Sequence, residues 1–114
     1  MSDLHDKSCV PCKGGILPFA ISEIHKYLKK IDGWDVKSDD EKKYYLIKQF
    51  KFNNFLESQV FINKVGDLAE KEGHHPDIWF GWGYAKIKIF THAINGLHEN
   101  DFVLASKIDQ ISSA

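Results

Sequence analysis

The chain has 114 residues, of which 43% are hydrophobic and 27% charged, and its formal net charge is -1. That length supports one domain with its own core, and the lack of a basic excess excludes nucleic acid as a default partner. No run approaches the roughly 20 consecutive apolar residues that a membrane helix needs, and the polar start "MSDLHDKSCVPCKGG" is not a secretory signal, so the cytoplasm is the expected location.

Residues 1–18 read as an N-terminal arm and residues 19–114 as the folded domain. The arm carries Cys9 and Cys12 in a C-x-x-C, with Gly14 and Gly15 behind it. A zinc site needs about four ligands, and no second pair exists. Three readings stay open: reduced incidental thiols, a metal clip shared with another chain, or a redox pair.

"PFAISEIHKYLKKIDGW" then predicts a helix, with Ser22 as its cap, Ile24, Leu28 and Ile31 at helical spacing, and Gly33 at its end. "WDVK" is a short strand, "SDDEKK" a solvated hairpin tip, and "YYLIKQFKF" a longer strand. In that strand Tyr45, Ile47, Gln49 and Lys51 share one face; Tyr44, Leu46, Lys48, Phe50 and Phe52 share the other. "NNFLESQVFINKVGDLAEKEG" predicts the longest helix, capped by Asn53 or Asn54. Phe61, Val65, Leu68 and Ala69 form its core stripe, and Gly73 ends it in a left-handed conformation.

"DIWFGWGYAKIKIFTH" reads as two strands broken near Gly81 or Gly83, with Ala85, Ile87, Ile89 and Thr91 on one face after the break. "AINGLHEN" is a loop, and "DFVLASKIDQISS" a closing helix. The fold class that follows is α+β: a single-layer four-stranded antiparallel sheet with three helices packed on one face, in the order αββαββα. A sheet face carrying Tyr44, Leu46, Phe50 and Phe52 exceeds what one helix layer covers. It is expected to seek a partner, so at least a dimer is expected.

Three histidines stand out. His74 and His75 are adjacent and followed by Pro76, and His92 closes the last strand. Glu70 lies four residues before His74, so a helix reaching that far puts both on one face. Pro76 restricts His75 to an extended conformation. An imidazole titrates near pH 6.5 and both gives and takes protons, while Trp79, Phe80 and Trp82 offer flat apolar walls suited to a heterocycle. Spacing alone leaves three readings: structural histidines, a three-histidine metal site with an open position, or proton-transfer catalysis.

The spacing of Glu70, His74, His75, Pro76, Trp82, His92 and Asp101 resembles the signature of the pterin-4a-carbinolamine dehydratases. The likeness extends to Gly33 and Trp34, to "QFKF", and to "NDFVLASKID", covering roughly residues 16 to 113. The resemblance implies a lyase that removes water from 4a-hydroxytetrahydropterin, in tetrahydrobiopterin recycling after an aromatic amino acid hydroxylase. It implies no metal and no cofactor, the pterin being the substrate. It makes His74, His75 and His92 the active-site histidines, with His74 and His92 for acid/base work and His75 for orienting the pterin. Glu70, Pro76, Trp34, Trp82 and Asp101 would line or support the substrate site. Asp101 has a second reading, as a helix-start residue three positions after His98. His98 stands where relatives often carry Thr, and Gly73 where animal relatives carry a polar residue. The family also implies a homodimer or homotetramer, no nucleic acid and no membrane. Some relatives bind a transcription factor or act in assembly, so a non-catalytic binding role is the alternative.

Overall fold

The computed structural model describes residues 17–41 and 43–113. The C-x-x-C of Cys9 and Cys12 lies outside the described residues. The elements are α1 (Ile21–Leu28), β1 (Asp35–Ser38), β2 (Tyr44–Lys51), α2 (Phe55–Glu72), β3 (Asp77–Gly81), β4 (Tyr84–Ile89) and α3 (Glu99–Ser113), with one 3-10 turn at His92–Ile94. All strand pairs are antiparallel, and the sheet order is β1-β2-β4-β3. The expected α+β architecture is thus the observed one. Among the described residues no helix is long and apolar enough to cross a membrane.

Register explains which face is covered. Leu46 pairs with Val36 on one side and Ile89 on the other, Phe50 pairs with Ala85, and Ile78 with Ile87. Side chains alternate across a strand, so these residues share the face under the helices. Leu46, Ile87 and Ile89 are fully buried there. Contrary to expectation, Tyr44, Leu46, Phe50 and Phe52 do not form a face left over for a partner subunit. Leu46 and Phe50 are in the chain's own core, and Tyr44 and Phe52 pack against it. The uncovered face is the other one, where Lys88 sits over the Tyr45 ring at 4.3 Å and Lys86 over Trp79 at 5.0 Å.

The long helix begins and ends by local chemistry. Asn54 accepts a hydrogen bond from the Glu57 N–H at 2.9 Å, and Glu57 accepts from the Asn53 N–H at 3.0 Å, a reciprocal cap that satisfies two orphan donors. Gly73 ends the helix at φ 67°, where a residue with a Cβ is disfavoured. The first helix is shorter than its periodicity suggests. It starts after Ala20, so Ser22 is inside the first turn and caps nothing, and it stops at Leu28. Gly33, at φ 79°, belongs instead to the connection into β1. That connection is tied down by Lys48, whose Nζ donates to the Asp32 carbonyl at 2.7 Å and pairs with Asp109 at 2.8 Å.

The last helix is the central one. Asp101 through Ala105 are nearly or fully buried, because α3 contacts α1 and α2 as well as the buried core. A helix enclosed on several sides carries apolar residues around most of its circumference, so its periodicity is weak. The single polar interruption at its start, Asp101, is the centre of the site.

Candidate active site

Gly73 turns the chain out of α2, and the His74 N–H returns to the Ala69 carbonyl at 3.2 Å. This fixes the His74 backbone to the helix end. Its side chain, 15% exposed, reaches Asp101 with Nε2 at 2.8 Å from Oδ1. Asp101 is 0% exposed. Its Oδ2 accepts from the His98 backbone N–H at 2.8 Å, and the Thr91 hydroxyl donates to Oδ2 at 2.8 Å and Oδ1 at 3.0 Å. Asp101 is therefore both the helix-start residue and the partner of His74. A carboxylate only accepts, so the proton in the His74 contact sits on Nε2. Nδ1 is left as the ring atom able to exchange a proton.

Thr91 immediately precedes His92, which lies past the end of β4 rather than closing it, so one carboxylate joins the His74 bend to the turn that carries His92. His92 is exposed and begins the 3-10 turn, with its ring 4.2 Å from that of Phe90. His75 pairs with Glu70 at 2.9 Å, both largely exposed. The Glu70 pairing differs from the i, i+4 expectation because the helix ends before His74, and the left-handed Gly73 swings His75 rather than His74 back over Glu70. Pro76 is half-buried between His75 and β3.

Two aromatic residues lie elsewhere. Trp34 is buried, and its indole N–H donates to the Asp109 carboxylate at 3.1 Å. Asp109 is eight residues along α3 from Asp101, about 12 Å at the helical rise, so Trp34 is a core residue at the far half of that helix. Trp82 is 72% exposed in the β3–β4 turn, at the end of the hairpin away from His75. The structure joins His74, Asp101 and Thr91 through one carboxylate, pairs His75 with Glu70 beside them in the chain, and sets His92 next to Thr91 in sequence, with its ring against Phe90. Thr91 had a visible signal: it continues the buried register of Ala85, Ile87 and Ile89, and a hydroxyl on a buried register needs a buried partner. Among the described residues no group of three or more His, Cys, Asp or Glu side chains could hold a metal ion.

Residues 18–111 match the family model described as pterin 4 alpha carbinolamine dehydratase. The chain belongs to that family. A Rubrobacter xylanophilus protein named "Putative pterin-4-alpha-carbinolamine dehydratase" is 48% identical over 97% of this chain and 100% of its own length. A Methylococcus capsulatus protein of the same name is 48% identical over 94% of this chain and 91% of its own. The crystal structure of a "transcriptional coactivator/pterin dehydratase" from Brucella melitensis superposes with TM-score 0.73 at 29% identity, covering 82% of this chain and 97% of that one. A pterin dehydratase-like protein identified as a RuBisCO assembly factor shares the fold at TM-score 0.61 and 23% identity, over 72% of this chain and 92% of that one.

Proposed function

We propose that this chain dehydrates 4a-hydroxytetrahydropterin to quinonoid dihydropterin by histidine acid/base catalysis. The C4a–O bond breaks, the hydroxyl leaves as water after gaining a proton, N5 loses its proton, and the N5 electron pair forms the N5=C4a double bond. His74 and His92 are the residues that exchange these two protons, and His75, held by Glu70, orients the ring. No metal or redox cofactor enters this balance. The physiological setting of the reading is the cytoplasm, with an aromatic amino acid hydroxylase supplying the substrate and two or four copies of the chain assembled.

The observation that carries the reading is the His74 imidazole bonded to the buried Asp101 carboxylate. A buried carboxylate is costly. Placed behind an imidazole, it fixes the ring tautomer and stabilises the imidazolium that proton transfer creates, the logic of oriented histidines in acid/base catalysis. A binding role on the same fold is a second reading. It is favoured by the apolar edge of α2, where Leu56 is 65% exposed, and by the coactivator in the name of the Brucella protein.

Absorbance of freshly generated 4a-hydroxytetrahydropterin tests the proposal. Activity that survives chelation and drops about 10²-fold or more in His74→Ala and His92→Ala supports it. A folded native chain with no dehydration refutes it and leaves the binding reading.

A further inference from the structure

We propose that Thr91 is a positioning residue for His74. Its hydroxyl, together with the His98 N–H, turns the Asp101 carboxylate so that Oδ1 receives the Nε2 proton. The consequence for function rests on the dehydratase reading; the geometry does not.

Three observations converge on Thr91. The side chain is only 4% exposed, and its one hydroxyl proton faces both carboxylate oxygens, at 2.8 and 3.0 Å. The backbone around it is clamped. Thr91 N–H donates to the Gly96 carbonyl at 2.9 Å, Gly96 N–H returns to the Thr91 carbonyl at 3.4 Å, and Ile94 N–H reaches that same carbonyl at 3.3 Å. Asn95, at φ 51°, makes the reversal that lets Gly96 come back. Finally, a β-branched side chain on a fixed backbone has few rotamers, so the direction of the hydroxyl is set by the loop.

The loop geometry answers what the hydroxyl is for. Capping α3 needs only the His98 N–H on Oδ2. A threonine in a core can also satisfy itself on a nearby carbonyl. Here the hydroxyl bonds to a carboxylate that already has a backbone donor and an imidazole donor. With the His98 N–H and the nearer Thr91 contact both on Oδ2, the carboxylate cannot rotate, and Oδ1 is held toward His74. Loss of the hydroxyl frees that rotation. The imidazole then loses its fixed acceptor, and with it the single tautomer that exposes Nδ1.

The test uses the full chain, ¹⁵N-labelled at histidine and free of substrate, read by NMR for the protonation of each ring nitrogen. The native protein is expected to show His74 protonated at Nε2 and bare at Nδ1. Thr91→Val, which keeps the shape and removes the donor, is expected to give mixed tautomers at His74. It should also lower kcat for 4a-hydroxytetrahydropterin by about tenfold or more, the scale of a hydrogen bond to a charged group, with KM little changed. Thr91→Ser restores both. If Thr91→Val does not fold, Thr91→Ala carries the same expectations without added bulk. A native His74 protonated at Nδ1, or a folded Thr91→Val whose His74 signals match the native ones, overturns the inference. A native chain that dehydrates nothing sinks the dehydratase reading instead, and the NMR comparison still decides the role of Thr91.

Discussion

Replacing Asp101 by Asn keeps the side chain's shape and removes its charge, and the surrounding donors dictate how the amide must sit. The His98 N–H and the Thr91 hydroxyl both meet Oδ2 at 2.8 Å, so the amide oxygen is forced to that side. The amide NH₂ then faces His74 Nε2 where Oδ1 stood. Two donors cannot bond, so His74 must accept on Nε2 and carry its proton on Nδ1, the reverse of the native tautomer. A hydrogen bond to a charged group contributes roughly 1.5–3 kcal/mol, and its loss at the imidazolium-forming step corresponds to about a 10- to 150-fold lower kcat. Stability should fall less, because the cap on α3 survives: about 1 kcal/mol, or roughly 4 °C in Tm. Steady-state dehydration at saturating substrate, with a thermal melt of the same sample, measures both. An Asp101→Asn protein with near-native kcat would refute the view that Asp101 acts through His74.

Gly73→Ala meets no atom within 4 Å of its new Cβ but sits at φ 67°, so the cost is conformational alone, about 1 kcal/mol. Gly73→Asn should recover much of it, and chemical denaturation distinguishes the two. Asp109→Ala removes the charge partner of Lys48, which is only 18% exposed and keeps just the Asp32 carbonyl, and the acceptor of the Trp34 indole N–H. It should destabilise by about 2–4 kcal/mol, more than Asp109→Ala combined with Lys48→Met, and equal losses in the single and double variants would contradict this. Backbone N–H bonds, from Lys43 foremost and also from Glu41, hold the Asp39 carboxyl below the usual carboxylate range. Its contribution to folding is therefore present above the ordinary carboxylate pKa and is lost as pH falls through the lowered value. An NMR titration of Asp39 with a midpoint at or above the unfolded value would show this wrong.

Much of the frame was legible because it depends on neighbours in the chain. The asparagine cap at Asn53 or Asn54, the left-handed stop at Gly73, the break near Gly81 or Gly83 and the alternation of Ala85, Ile87 and Ile89 each involve residues within a few positions of one another. Helix periodicity, turn chemistry and strand alternation act at that range. The spacing of His74, His75 and His92 was equally visible. Two local expectations fail because a helix begins or ends a residue or two from where the spacing puts it. Ser22 has the chemistry of a cap, yet the chain enters α1 two residues too early for it to serve. Glu70 was expected on the His74 side by helical spacing, but the turn at Gly73 gives it His75.

The sequence by itself determined the order of elements, the alternation of side chains along the strands and the identity of the histidines, since these follow from short-range sterics and periodicity. Only the tertiary structure decided that Trp34 belongs to Asp109 and the core, that Trp82 stands in solvent, and that Asp101 serves the α3 cap and His74 at once. His74 and Asp101 are 27 positions apart, and Thr91 reaches the same carboxylate from a third element. Nothing local selects such a meeting. It exists because α3, packed against α1, α2 and the shared core, buries a carboxylate, and a buried charge must collect its hydrogen bonds from whatever elements the fold brings to it.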